Sequence, residues 1–204
     1  MGKEVTGAVR AGKQRQEGRI LLETSELIFR GADYRLRLAF AEMREVQAAN
    51  GELRVQTKDG ALTFEVGTAA EKWREKILHP KTRLQKLGLK PGIPVRLVGG
   101  DFDADFMNEL KAGNAAVSNA SNSTSPQDTF LAIDGKSSLA AVAKHAKKMK
   151  GAEALWVVYP KGKKEVTEND VLSAGRKSGL KDVKVVGFSA IHTALKFVLP
   201  LAKR

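Results

Sequence analysis

Apolar and polar positions alternate along the first third of the chain and follow longer periods afterwards. From residue 19 the alternation has strand character. Ile20 and Leu22 lie two apart, Leu27 and Phe29 follow Ser25-Glu26, and Leu36, Leu38 and Phe40 alternate with Arg35, Arg37 and Ala39. A period of two puts one set of side chains on each face of a sheet. Met43 and Val46 lead to Asn50-Gly51, and Leu53, Val55 and Thr57 lead to Asp59-Gly60. Both dipeptides suit tight hairpin turns, because their residues tolerate positive φ. With Leu62, Phe64 and Val66 these runs predict six or so short strands in a small antiparallel sheet or barrel. Ala70, Trp73 and Ile77 then share one face of a helix over 69–78, with Thr68 as its candidate cap and Pro80 as its stop. That helix can plug the open end of a bent sheet, with Trp73 as the wedge. Residues 1–18 are polar and hold four glycines, which predicts a flexible tail.

Beyond residue 80 strands and helices alternate. Lys81–Lys90 reads as a linking segment with helical spacing at Leu84 and Leu87, ended by Gly88. Residues 94–98 form a short strand, followed by Gly99-Gly100-Asp101. Asp101 or Asp103 can cap a helix whose Phe102, Phe106 and Leu110 share a face. Residues 112–127 are rich in Ala, Ser and Asn and nearly uncharged, which predicts a flexible loop. Residues 130–133 make a strand ending at Asp134-Gly135, and Ser137 or Ser138 caps a helix with Leu139, Val142, Ala146 and Met149 inward. The continuous apolar run 154–159 suits a strand covered on both faces. Thr167 with Asp170 makes a capping box for a helix that runs to Ser178, with Gly179 at its C′ position. Val183, Val185 and Val186, then Thr193–Leu199, make the last two strands, close enough to pair antiparallel. The whole predicts α+β followed by α/β: a small antiparallel unit capped by its C-terminal helix over 19–80, then a mostly parallel sheet with helices on both faces over 81–204.

Composition sharpens this picture in two places. The 204 residues carry a formal charge of +12, but residues 1–134 are nearly neutral and the last 70 residues hold 15 basic against 5 acidic side chains. Clustered charge attracts polyanions more strongly than spread charge. There is no Cys, which excludes a disulfide framework, a Cys nucleophile and Cys-ligated metal. No run reaches the apolar length of a membrane span and the N-terminus has no secretory core, so a cytoplasmic protein is expected.

The runs ELIFRG, LAFAEMREV and AEKWREKIL, in that order over about residues 19–79, resemble a bacterial pleckstrin-homology-like domain. The resemblance implies a module that binds peptides, lipids or other domains and has no chemistry of its own. The stretch between its first two strands is Thr24-Ser25-Glu26, without the basic cluster of lipid-binding members, so a protein-interaction or structural role is expected. The runs LGLKPGIPVRLVG, ALWVVYPKG, GLKDVKVV and ALKFV resemble a bacterial family of unknown function that looks like a shortened Rossmann-type S-adenosylmethionine methyltransferase. That resemblance implies the fold. Its cofactor-binding relatives use a Gly-rich loop after the first strand and an acidic residue ending the second. Here the loop is Gly99-Gly100-Asp101, and 31 residues separate Val98 from Phe130, little room for two further strands and a helix.

In open α/β sheets ligands sit outside the carboxyl ends of the strands. The crevice candidates are therefore Gly99, Gly100, Asp101, Asp134, Tyr159 and Lys161, which would bring two carboxylates, a phenol and an ammonium together. Lys144, Lys147, Lys148 and Lys150, with Lys161, Lys163 and Lys164, are candidates for one basic, polyanion-binding face. No catalytic residue, metal site or cofactor is expected. The expected function is non-catalytic binding or scaffolding, a pseudoenzyme-like protein partnered by another protein or an acidic molecule. The alternatives are a small-molecule, nucleotide or S-adenosylmethionine site in the crevice, and weak, sequence-independent nucleic-acid binding.

Overall fold

A computed structural model describes residues 3–113, 115, 117–118 and 128–203. The chain divides into two compact units, Met1–Lys81 and Thr82–Arg204.

The first unit is a seven-stranded antiparallel sheet in the order β4-β3-β2-β1-β7-β6-β5. Its strands are β1 (Lys3–Ala11), β2 (Gln14–Leu22), β3 (Glu26–Gly31), β4 (Arg35–Ala39), β5 (Glu45–Ala49), β6 (Glu52–Thr57) and β7 (Gly60–Glu65). The expectation of a flexible tail over 1–18 is wrong for residues 3–18. They make the central strand and half of its neighbour, paired without a break from Lys3↔Leu22 to Ala11↔Gln14. The glycines that suggested mobility are instead points of close approach. Gly7 and Gly18 face each other across the pair. A Cβ on Gly7 would collide with the Glu65 carbonyl oxygen, and one on Gly18 with that of Arg30.

Leu27 and Phe29 near one edge of the sheet and Val46, Leu53 and Val55 near the other share a single core. Only a curled sheet brings both wings onto one core. Helix α1 (Ala70–Leu78) completes that core with Ala70, Trp73 and Ile77, all buried. Thr68 does not cap it: the cap position is Ala69, and the entry is a single 3-10 turn over Gly67–Ala69.

The second unit is a six-stranded mixed sheet, ordered β12-β13-β11-β10-β8-β9. The strands are β8 (Val95–Gly99), β9 (Val117–Ser118), β10 (Asp128–Ala132), β11 (Ala154–Pro160), β12 (Lys181–Gly187) and β13 (His192–Val198). β9, β8, β10 and β11 run parallel; β13 is antiparallel to β11 and to β12. Most of the loop expected over 112–127 lies outside the described residues.

Two cores cover the two faces of this sheet. On one, helices α2 (Arg83–Leu87) and α3 (Ala104–Ala112) bring Leu87, Phe106 and Leu110 onto Leu97, Phe130, Trp156 and Val158. On the other, α4 (Ala140–Ala146) and α5 (Glu168–Lys177) bring Val142, Ala146 and Val171 onto Leu131, Leu155, Val157 and Phe197. β11 is buried on both faces, as its unbroken apolar run requires. The Thr167/Asp170 capping box forms as expected: Asp170 N donates to Thr167 Oγ1, and Thr167 N donates to Asp170 Oδ2.

Candidate functional site

The strand order opens a candidate site. From β8 the chain passes to β9 on one side and then returns to β10 on the other. The connections on either side of β8 therefore diverge, and a gap opens beyond the carboxyl ends of β8 and β10, which is where open α/β sheets hold ligands. A crevice of about 750 Å³ lies there. Its apolar surface comes from Phe102, Ile133, Val158, Phe188 and Ile191. Phe188 is held edge-on against Phe106, with ring centroids 4.7 Å apart, and against Phe102 at 6.3 Å.

Polar groups follow the order of the strands around the rim. Asp101 follows β8, Asp134 follows β10, Lys161 and Lys163 follow β11, and His192 opens β13. Acidic groups thus lie toward the β8 side and nitrogen donors toward the β13 side. Neighbouring strands are about 4.8 Å apart, so three spacings separate β8 from β13 by about 14 Å.

Each rim group has a definable state. Asp103, not Asp101, caps α3, with its Oδ1 accepting Phe106 N at 2.8 Å. Arg83 fixes that turn by donating to both oxygens of Asp103 at 2.8 and 2.9 Å, to Glu109, and to the Phe188 carbonyl at 3.1 Å. One guanidinium therefore ties α2, α3 and the β12–β13 turn together beside the crevice. Nothing in the sequence pattern announced that contact. Asp101 is left without a hydrogen-bond or ion-pair partner among the described residues.

Asp134 accepts the Ser138 hydroxyl at 2.8 Å, which with nearby backbone donors holds its carboxyl below the usual range. Neither Ser137 nor Ser138 is the helix cap; the turn before α4 begins at Gly135. Lys161 Nζ donates to the Ser189 carbonyl at 2.6 Å, while Lys163 has no such partner among the described residues.

Two groupings expected from the sequence do not form. The Tyr159 phenol does not line the crevice. Its side chain is buried on the α4–α5 face and its hydroxyl donates to Glu168 at 3.0 Å. Burial and that carboxylate push the phenol upward. Strand alternation is the reason: Val158 and Tyr159 point to opposite faces, and Val158 is the one on the crevice side. The lysines do not make one face either. Lys144, Lys147, Lys148 and Lys150 lie before β11, and Lys161, Lys163 and Lys164 lie after it. The strand separates them by roughly 20 Å at 3.3 Å per residue.

Gly99 and Gly100 do line the crevice. Gly99 has a φ of +89°, and a Cβ there would collide with the Ala132 carbonyl oxygen. The neighbouring strand demands that glycine, so it is no sign of a phosphate or cofactor cradle. The carboxylate that a cofactor ribose would need at the end of the second strand is not among the described residues; β9 ends at Ser118. The donor set for S-adenosylmethionine implied by the resemblance is therefore not matched among the described residues. No group of three or more His, Asp or Glu there could hold a metal ion. No described helix is long and apolar enough to cross a membrane.

Sequence reasoning missed His192 as a rim group and its tie to Ser189. A serine three residues before a histidine at a hairpin turn was the available signal.

No family model matches the chain, and no curated protein matches it. Solved structures do. A TehB-like SAM-dependent methyltransferase from Corynebacterium glutamicum is 12% identical, with a TM-score of 0.36 over 64% of this chain and 96% of that one. A SAM dependent methyltransferase from Aquifex aeolicus is 17% identical, at 0.38 over 56% and 86%. A magnesium protoporphyrin IX methyltransferase from Synechocystis is 9% identical, at 0.37 over 58% and 74%. At these scores the likeness carries no argument about what the crevice holds.

Proposed function

We propose that the α/β unit binds a nucleoside-sized organic molecule in the crevice at the carboxyl ends of β8, β10 and β11. The carrying observation is the coincidence of three features at one place. They are the divergence of the chain around β8, a gap of about 750 Å³, and an apolar wall rimmed by separated acidic and basic groups. Small-molecule sites fall in this size range and combine apolar walls with a few placed polar groups. A tightly filled sheet end would have supported a purely scaffolding protein instead. S-adenosylmethionine is one candidate of the right size, although the glycine turn gives it no support.

The first unit supports a second, separate reading for its own part of the chain. Its seven antiparallel strands closed by a Trp-bearing helix suit the pleckstrin-homology-like resemblance, and with it a protein-binding role.

Thermal shift on the full chain tests the crevice reading. S-adenosylmethionine, S-adenosylhomocysteine, adenosine and AMP are each added at millimolar concentration. A ligand present at 100 times its Kd stabilises by about 2.7 kcal/mol, several degrees for a domain of this size. At least one member raises the Tm of the α/β unit, and Ala132→Trp, which fills the crevice, removes that rise. A panel with no effect, or a rise that survives Ala132→Trp, contradicts the reading.

A further inference from the structure

We infer that the β11–β13 side of the crevice is an oxyanion-holding subsite, so that the ligand bears a carboxylate or phosphate pointing toward Lys163 and His192. This deepens the crevice reading and rests on it.

The turn between β12 and β13 carries the argument. Ser189 Oγ accepts the backbone N–H of Ile191 at 3.3 Å and of His192 at 3.0 Å. Both lone pairs of the hydroxyl are then used. Its own proton goes to the remaining neighbour, His192 Nδ1, 3.1 Å away. Nδ1 is therefore an acceptor, and the neutral imidazole carries its proton on Nε2. No described residue takes that proton, and His192 lines the crevice. The ring is thus set to donate whatever its charge.

The turn is held in place from both sides. Lys161 N donates to the Ile191 carbonyl at 2.8 Å and Lys161 Nζ to that of Ser189 at 2.6 Å. Arg83 donates to the Phe188 carbonyl. A donor on so constrained a turn needs little reorganisation when an anion arrives.

Lys161 keeps two ammonium protons beyond its one bond, and Lys163 keeps all three. Lys161, Lys163 and His192 therefore share the β11–β13 rim, while Asp101 and Asp134 lie on the β8–β10 rim. The segregation also orients the ligand. An anion near Asp101 would be repelled, whereas at Lys163 its bonds are charge-assisted and roughly twice as strong as neutral ones.

Matched ligands test this on the full chain by isothermal titration. The probes are adenosine, adenosine 5′-carboxylic acid and AMP, which differ only in the 5′ group. One or both anions bind at least about tenfold more tightly than adenosine. The anion that gains more shows whether the subsite prefers a planar or a tetrahedral group. Lys163→Gln and His192→Ala each remove most of that preference, weakening the two anions far more than adenosine. His192→Gln, which keeps an N–H donor, restores part of it, as a fold defect would not. Asp101→Asn leaves the preference intact or raises it. Equal binding of all three probes overturns the subsite while the crevice reading stands. Binding by none overturns both.

Discussion

The two sheets close their ends differently, and the difference decides where a ligand can enter. In the antiparallel unit every connection between sequence neighbours from β1 to β7 is short, such as the Asn50-Gly51 turn. Each of these strands up to β6 passes to the next through a few residues, without a crossover helix of α type. In the α/β unit the chain leaves β8 and β10 by crossing to helices, α3 on one face and α4 on the other. The backbone moves away from the sheet on both sides and uncovers the strand ends between. The first architecture spends its apolar side chains on one enclosed core. The second makes two cores and a crevice.

Four substitutions break or sharpen this contrast, the largest effect first. Trp73 is fully buried in the single core of the first unit. Trp73→Ala removes it at a cost of about 4 kcal/mol. Hydrogen exchange should lose protection in β1–β7, while the α/β unit keeps its ligand response. A crevice that depended on the first unit would lose that response too.

Lys196→Met comes next. Lys196 Nζ lies 3.6 Å from the buried Asp128 carboxylate and 5.2 Å from the centre of the Trp156 ring. Burial already pushes the Asp128 carboxyl upward, and Lys196 opposes that. Without the cation the cost is about 3 kcal/mol at pH 7. The sign with pH is fixed. The folded carboxyl holds its proton at higher pH than the unfolded one, so the penalty shrinks as pH falls and is full near neutrality. Urea midpoints at pH 7 and pH 4.5 should show a larger loss at pH 7; an equal loss at both would place the effect in packing instead.

Gly99→Ala is third. Its positive φ and the Ala132 carbonyl both resist a Cβ, so about 1–3 kcal/mol is lost, together with ligand affinity, because β8 and β10 part at the crevice floor. A neutral result in urea denaturation would contradict the close approach.

The smallest effect belongs to His145→Gln. Burial and the nearby cations Lys148, Arg96 and Lys144 hold the His145 imidazolium pKa down. The unfolded chain takes up that proton first, so stability falls as pH drops below about 6.5 and is level above it. His145→Gln should flatten that slope, measured as urea midpoint against pH.

Much of the second unit was legible in the sequence, because its signals are local. The Thr167/Asp170 box, the Gly179 stop and the unbroken run of β11 each depend on a few adjacent residues. β1 was not legible. Of its apolar side chains only Ala8 and Val9 are buried, and its glycine sits where a neighbouring carbonyl leaves no room. A close-approach glycine and a flexible one look alike until the partner strand is placed. The site divides in the same way. Asp101, Asp134 and Lys161 follow from strand ends, which the pattern marks. Tyr159 failed because a strand end does not say which face its last side chain takes. Arg83 reaches the Phe188 carbonyl from an element far away in sequence, a tie that only the fold brings together, whereas the Ser189–His192 pair is local to one turn.

Backbone amide shifts of the isotope-labelled full chain, followed by NMR while AMP and S-adenosylmethionine are titrated in, test the central claim most directly. The account predicts saturable shifts concentrated at residues 99–103, 132–138, 160–163 and 188–192, with the β1–β7 amides unmoved. Shifts confined to the antiparallel unit, or centred on Lys144–Lys150 at the other end of the sheet, would contradict it.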